Sequence, residues 1–536
     1  MGWVRALLLV VAVAAVGLVL VSGGSEADPR TPPALPGLPP PFLGTAVAGD
    51  GGMTAAIDAY GNVVDLRAPG PAGRAVIENP ADRQAAGSVD ADTGIVPRVA
   101  IGEGPALPLW RADSVSQRYL RGTNVVRTVA RFLFDLGGGK GTASMVSVTV
   151  TDAVARGTLA RVVKAEGSAE VRVVPSLSVN VEAGAKCEAE QRLGRAALIC
   201  RAPGSSVMSA AETIRLASFG DRVWLRRARA LGAGAPDWAR EMYERSLLTL
   251  HALTDRRTGA VAAGARDGWA YVWPRDAGAV ALAFAAAGYR PEARRVARFL
   301  GSLDLGAAAR FHGDGTPVEG RVAQGDAAGW AAVASLAAKR GASWTQEVQK
   351  EPRVGRTGTI AMVGIEWSDR ADYREGERGT FLANAITSGL PAAEIADRFG
   401  SSRGLDRAEG ADADLDSAAA WAVRPFAQPA LFPAARRTLL PLASHGTRFG
   451  ITPGEGWHGG PDPWSAPTAW SAWSLAALDE RGAALPLLAD LRRAATPAGA
   501  LPERVGAQTG IPTSTTPLAW SHAFAILALR ELWPSD

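Results

Sequence analysis

The chain has 536 residues, 47% of them hydrophobic and 21% charged, with Gly 61 and Pro 35. That composition excludes the disordered, collagen-like and small disulfide-stapled classes, and the length exceeds what one core usually supports, so two or more domains are expected. Its 57 Lys and Arg against 53 Asp and Glu leave a net charge of +4, without the long basic runs of a nucleic-acid partner.

At the N-terminus, Arg5 precedes an uncharged apolar stretch from Ala6 to Val21, followed by small residues. A positive start, an apolar core and small residues form the pattern of an export signal. The run is long for a signal and slightly short for a span of about 20 residues. Residues 1–27 are therefore expected to be a signal peptide or an N-terminal membrane anchor, and the protein to be secreted or held on the outer face of the membrane. Seven prolines follow among residues 29–41. As polyproline II, at about 3.1 Å per residue, the linker over 28–41 would reach roughly 40 Å, enough to stand a domain off a membrane. The alternative is a leader with no role.

From 42 to 223 the hydropathy alternates with period two. Val146, Val148 and Val150 share one face, and Ser147, Thr149 and Thr151 the other. VRVVPSLSVNVEA (171–183) repeats the pattern less cleanly, and DGG, YGN, GGGKG and AEGS punctuate it as turns. Such runs predict an antiparallel β-sandwich. The two cysteines, Cys187 and Cys200, lie 13 residues apart in this region. They could close a hairpin disulfide in an oxidising compartment or stay a buried reduced pair, and they are too few for a cysteine zinc site.

A linker over 224–235 leads into residues 236–536, where the period becomes helical. Pro236-Asp237 opens a helix, with proline suited to the first turn and aspartate to its positive end. Roughly a dozen helical segments follow. PRDAGAVALAFAAAG (274–288) and PLAWSHAFAILALREL (517–532) are apolar nearly all round, whereas PEARRVARFL (291–300) has a basic face. The first kind is buried and the second sits outside, which predicts a double ring of helices, with a bundle array as the alternative. Of the 16 tryptophans, 13 lie after residue 236. Trp269, Trp273, Trp457 and Trp464 fall in loops, where indoles suit sugar rings or plug the ends of the array.

DGWAYVWPRDAGAVALAFAAAGY (267–289) puts a charged pair, Arg275-Asp276, at the entrance of a buried helix. Such a pair is costly unless the two groups satisfy each other or a polar ligand. The stretch resembles the signature of glycoside hydrolase family 15, the glucoamylase-like family that also holds glucodextranases and certain trehalases. The resemblance implies an N-terminal antiparallel β-sandwich followed by an (α/α)6 barrel. It implies that Arg275 and Asp276 bind the outer hydroxyls of a terminal glucose beside Trp273.

GALPERVGAQTGIPTSTTPLAWSHA (499–523) is similar to the family's LPEQV stretch and the helix after it, which makes Glu503 the catalytic base. In SDRADYREGERGTFLANA (368–385), Asp372-Tyr373-Arg374-Glu375 aligns with the family's DLWE loop, which makes Glu375 the general acid. Arg374 stands where the family has tryptophan and Gly376 where it has a second glutamate. Glu377 and Glu366 are rival candidates, and an arginine beside a carboxyl lowers its pKa, the wrong direction for an acid. GEGWHGGPDPWSAPTAWSAWSLAAL (454–478) resembles the family's aromatic-Gly-Gly-x-Pro-Trp loop, nominating Trp457 and Trp464 as sugar platforms, with Arg448 upstream as a substrate-binding arginine. The β half, GTAVAGDGGMTAAIDAYGNVVDLRAP (44–69) and QRYLRGTNVVRTVARF (117–132), also resembles the domain that precedes bacterial family barrels.

Glycoside hydrolysis needs one protonated carboxyl for the leaving oxygen and one ionised carboxylate to activate water. Direct attack by water inverts the anomeric centre and sets the carboxyls about 6.5–9.5 Å apart. The resemblance therefore implies an exo-acting, inverting hydrolase that releases α-D-glucosyl residues from non-reducing ends of oligo- or polysaccharides. Two other readings stand beside it: a glucan-binding envelope protein without catalysis, or an enzyme for trehalose or α-1,6-glucans. No cofactor and no metal site are expected; the resemblance leaves room for a structural calcium, as in some relatives, although no concentrated oxygen-ligand loop stands out to hold it. Oligomeric state is left open. GSSRG (400–404) follows a helical stretch and not a strand, so it reads as a helix-ending loop and not a nucleophile elbow. LGGGKGT (136–142) lacks phosphate-loop spacing and reads as a hairpin turn. The five histidines show no ligand spacing; His522 reads as a core residue and His458 as a candidate pocket residue.

Overall fold

A computed structural model describes residues 44–78, 94–135, 143–167, 173–180, 186–341, 370–373, 378–410 and 414–535. The expected signal or anchor, the proline tract, the GGGKG turn, and Glu366, Arg374, Glu375, Gly376 and Glu377 lie outside the described residues.

The N-terminal part is built of strands: β1 (Gly44–Gly49), β2 (Thr54–Asp58), β3 (Val63–Ala68), β4 (Arg74–Glu78), β5 (Gly94–Ile101), β6 (Leu107–Pro108), β7 (Ser114–Tyr119), β8 (Val126–Asp135), β9 (Ala143–Ala155), β10 (Thr158–Glu166), β11 (Val173–Asn180), β12 (Lys186–Arg192) and β13 (Arg195–Arg201). One sheet runs β1-β2-β3-β5-β11, with β4 on β3 and β6 on β5; the other runs β12-β13-β10-β9-β8-β7. All their pairings are antiparallel. The period-two valines of β9 are buried, and they share a cluster with Phe132 of β8, Val163 of β10 and Val99 of the other sheet. Burying one face of each sheet is what alternation requires. Between the sheets, the fully buried Arg161 pairs with Asp152 (Nε–Oδ1 2.6 Å) and donates from Nη1 to the Ile95 carbonyl. Cys187 and Cys200 stand directly opposite on β12 and β13 and form a disulfide.

Residues 210–223, expected among the strands, and the first two of the expected linker form a helix instead: α1 (Ala210–Leu225), capped by Ser209 Oγ, which accepts from the Glu212 N–H. Its buried positions, Ala210, Thr213, Ala217, Asp221 and Trp224, step by three and four. Two of them are polar, which hides the stripe from a hydropathy reading.

Among the described residues ten further helices follow: α2 (Asp237–Leu253), α3 (Pro274–Ala286), α4 (Arg290–Leu300), α5 (Ala327–Arg340), α6 (Leu382–Thr387), α7 (Ala392–Phe399), α8 (Phe432–Ser444), α9 (Ser465–Ala477), α10 (Arg481–Ala494) and α11 (Ala519–Leu532). Every residue of α3 is buried, as are nearly all of α9 and α11. α11 packs against α2, α3 and α9, and α3 against α5, while the arginine-faced α4 and α10 cover α3 and α9 from outside. The expected split into buried and two-faced helices is thus present. In the centre, Trp330, Trp421, Trp470 and Trp520 pack edge to face in series, with ring centroids 5.2, 5.3 and 5.2 Å apart. Gly400 ends α7, and Ser401 to Gly404 form a turn.

The two parts share a buried apolar cluster, with Val47 and Val64 from the strands and Leu247 and Leu250 from α2, and polar contacts on α2 add to it. Thr54 Oγ1 donates to the Ala252 carbonyl (2.9 Å), and Asn124 Nδ2 donates to the Leu248 carbonyl (2.9 Å). Arg245 donates from Nη1 to the Thr123 carbonyl and lies 3.6 Å above the Tyr119 ring.

Candidate active site

Three buried helices, α3, α9 and α11, begin at one end of the helical part. Isolated bridges tie the loops there: Val272 to Phe311, Trp464 to Arg504, and Gly264 to Leu518. Pro274 takes the first position of α3 after the extended Trp273, and Trp464 plays the same capping part for α9. Side chains of these first turns, joined by those of the 503–514 loop, line a cavity of about 390 Å³.

Arg275 is 4% exposed and donates from Nη1 to Asp326 (3.0 Å) and Gln324 (3.2 Å); its Nη2 stands 3.8 Å from Asp276, and its guanidinium lies 4.5 Å from the Trp520 ring centroid. The carboxylate partners balance the buried cation and fix its plane at the wall. Burial pushes the Asp276 carboxyl up to about 7 against the pull of Arg275, and the charges of Glu503 and Asp326 add to the push.

Across the cavity, Glu503 accepts from the Ser514 hydroxyl. Burial raises its carboxyl, while Ser514, the Trp269 indole N–H, Arg504 and Arg321 favour the ionised form. Its loop is held by backbone: the Glu503 N–H donates to the Thr515 carbonyl (2.9 Å), and its carbonyl accepts from the Ser465 N–H (3.0 Å). Arg504 stays at the wall by donating from Nε to Thr513 Oγ1 (3.1 Å), near the Trp464 face.

Tyr373 also lines the cavity, its hydroxyl donating to Asp416 (3.0 Å). Asp372 beside it accepts from the Tyr373 N–H (2.7 Å) and lies 3.4 Å from Arg407. The DYRE segment therefore starts at the cavity wall; Glu375 itself lies outside the described residues.

The cavity thus brings together Trp273, Arg275, Asp276, Trp464 and Glu503 from the sequence reading. Trp457 does not line it and stands behind Trp464, ring centroids 5.4 Å apart. His458 is exposed and away from it. Arg448 is likewise exposed: the turn it occupies buries Phe449, its guanidinium lies over that ring (4.7 Å), and its carbonyl accepts from Arg493. The arginines at the wall beside Arg275 are instead Arg321 and Arg504. Arg321 comes from a loop without periodicity, so nothing local marks it. Trp470 and Trp520 line the cavity from helices whose apolar runs read as core, and Ser514 comes from the 499–523 stretch, where nothing local distinguishes its hydroxyl. Among the described residues, no group of His, Cys, Asp and Glu could hold a metal ion.

Residues 237–305, which hold α2, α3 and the Arg275-Asp276 pair, match the family model described as glycosyl hydrolases family 15. By this match the segment around the Arg275-Asp276 pair is similar to the family 15 glycosyl hydrolases. No curated protein matches the sequence. Similar solved structures include a wild-type glycosidase, 19% identical, covering 55% of this chain and 96% of its own, with TM-score 0.45. A glucoamylase from Saccharomycopsis fibuligera is 14% identical, covering 57% of this chain and 97% of its own, with TM-score 0.43. A family 15 glucoamylase from Hypocrea jecorina is 15% identical, covering 54% of this chain and 70% of its own, with TM-score 0.39. Likenesses this distant assign neither a residue's role nor an activity.

Proposed function

We propose that the protein is an exported, inverting exo-glucosidase with an (α/α)6-barrel catalytic part and an N-terminal β-sandwich, acting on the non-reducing ends of α-glucans. One observation carries the reading: the Glu503 carboxylate and the Arg275-Asp276 pair, far apart in sequence, face one cavity of about 390 Å³. That volume is at the small end for ligand sites and suits a chain end, not the middle of a polymer. In this reading Arg275 donates to the hydroxyls of the terminal sugar, Asp276 accepts from them, and Trp273 and Trp464 cover its apolar faces.

Glu503 takes a proton from a water molecule as that water attacks the anomeric carbon. The donors around it stabilise the ionised state the step needs. A carboxyl of the segment after Tyr373, Glu375 by alignment, protonates the leaving oxygen. The N-terminal apolar run would export the chain, and if uncleaved would tether it to the membrane.

Proton NMR of the anomeric signals tests the reading, with maltooligosaccharides, isomaltose and trehalose offered to the purified chain. Early β-glucose is the expected product, and the substrate that yields it identifies the linkage. Early α-glucose would reject direct attack by water. Glu503→Gln is expected to lower kcat by about 10²–10⁴-fold, the range for losing a general base. Arg374 and Gly376, where the family has tryptophan and glutamate, favour a second reading as a glucan-binding protein; saturable binding of maltooligosaccharides without any glucose release would establish it.

A further inference from the structure

We propose that His522 is a positioning residue for the Glu503 carboxylate, acting through the backbone of the loop that carries it. The inference rests on the reading of Glu503 as the base. His522 lies in the first turn of α11 and is wholly buried. Its Nε2 is 3.0 Å from the Leu501 amide nitrogen, and its Nδ1 is 2.9 Å from Ser246 Oγ on α2. An amide N–H can only donate, so Nε2 must be the bare, accepting nitrogen, and the ring proton sits on Nδ1 and goes to Ser246. The imidazole must be neutral to make both bonds. Burial, with the charge of Arg245, holds its pKa well below the usual 6.5 and keeps it so.

Among the described residues, the backbone groups of Leu501 and Glu503 otherwise pair with backbone. The Leu501 carbonyl accepts from the Leu518 N–H (2.9 Å), the Glu503 N–H donates to Thr515, and the Glu503 carbonyl accepts from Ser465. His522 is the side chain that joins this set, two residues before the base. Its neighbours one turn away on α11 are apolar: Ala519, Ala525 and Ile526. A leucine would fit that stripe by character. An imidazole there makes sense because it links three elements at once: α11, the base loop and α2. Since α2 is the helix docked on the β-rich part, the link also ties the base loop to that seam. Misplacing a reacting group by about 1 Å can cost about 10²-fold in rate.

The test compares His522→Leu, His522→Gln and Ser246→Ala with the wild type and Glu503→Gln, on whichever of maltose, isomaltose or trehalose the wild type hydrolyses fastest. His522→Leu is expected to lower kcat by about 10–100-fold, with KM little changed because Arg275 and Asp276 are untouched. His522→Gln can accept from Leu501 and donate to Ser246, and is expected to recover most of the loss. Ser246→Ala, which only frees the far end of the ring, is expected to lower kcat several-fold and serves if His522→Leu does not fold. Unchanged kcat in a folded His522→Leu, or in Ser246→Ala where the leucine variant does not fold, overturns the proposal. So does a loss that falls on KM, or a glutamine variant no better than leucine. Glu503→Gln separates the two readings: if it retains full turnover, the base assignment fails and the positioning role with it. If it is inactive while His522→Leu keeps full kcat, only the positioning role fails.

Discussion

Asp276 shows what burial does to a single carboxyl. In the unfolded chain it titrates near 3.8, and in the folded site near 7. The folded state therefore keeps a proton that the unfolded chain releases between those values. Stability present below about pH 4 is lost as pH rises through 7. Asp276→Asn removes this titration. The melting temperature of the variant relative to wild type is expected to rise steadily from pH 4 to pH 7, read by thermal scans across that range. A difference that stays flat would reject the raised carboxyl. Above pH 7, where the Asp276 carboxyl is ionised, the same variant is expected to lose about 10–100-fold in kcat/KM, because an amide replaces a charged acceptor and charge-assisted bonds contribute about 1.5–3 kcal/mol. Arg275 keeps Asp326 as its partner there, so the wall itself should hold.

At the scale of elements, two helix glycines that look alike in sequence do opposite things. Gly220 sits inside α1 with nothing within 4 Å of where a Cβ would stand. Gly329 sits inside α5, where a Cβ would stand 2.2 Å from the Thr387 carbonyl of α6. Gly220→Ala is expected to stabilise the protein by about 0.5–1 kcal/mol, the usual helix-propensity gain. Gly329→Ala gains the same propensity but must push α5 from α6, for a net loss of about 1–3 kcal/mol. Urea unfolding of the two variants distinguishes them, and equal shifts of the same sign would contradict the packing argument. The helices themselves were legible: α3, α4 and α11 lie where their apolar and basic faces put them. α1 was not, because Thr213 and Asp221 interrupt its buried stripe.

Across the whole molecule, the β-rich and helical parts share a polar seam. The Asn124 N–H donates to the buried Asp221 of α1 (2.6 Å), and Arg245 of α2 reaches Thr123, Asn124 and Tyr119. Arg245→Met leaves two carbonyl acceptors unmatched and is expected to cost about 2–3 kcal/mol. Because those contacts join the two parts, the variant should unfold in two calorimetric steps where the wild type shows one. A single transition at an unchanged temperature in the variant would show that the seam does not couple them.

Period and punctuation are local properties, and they determined the change from strand to helix periodicity along the chain and the entry of α3 at Pro274, while the resemblance of two local stretches nominated Arg275, Asp276 and Glu503. Which of those residues meet is a long-range property, decided by how the loops before α3, α9 and α11 pack together. That packing turned Arg448 outward to bury Phe449, set Trp457 behind Trp464, and brought Arg321 and Arg504 to the wall. Spacing along a chain does not specify contacts between loops hundreds of residues apart; the burial of the helices beneath them does.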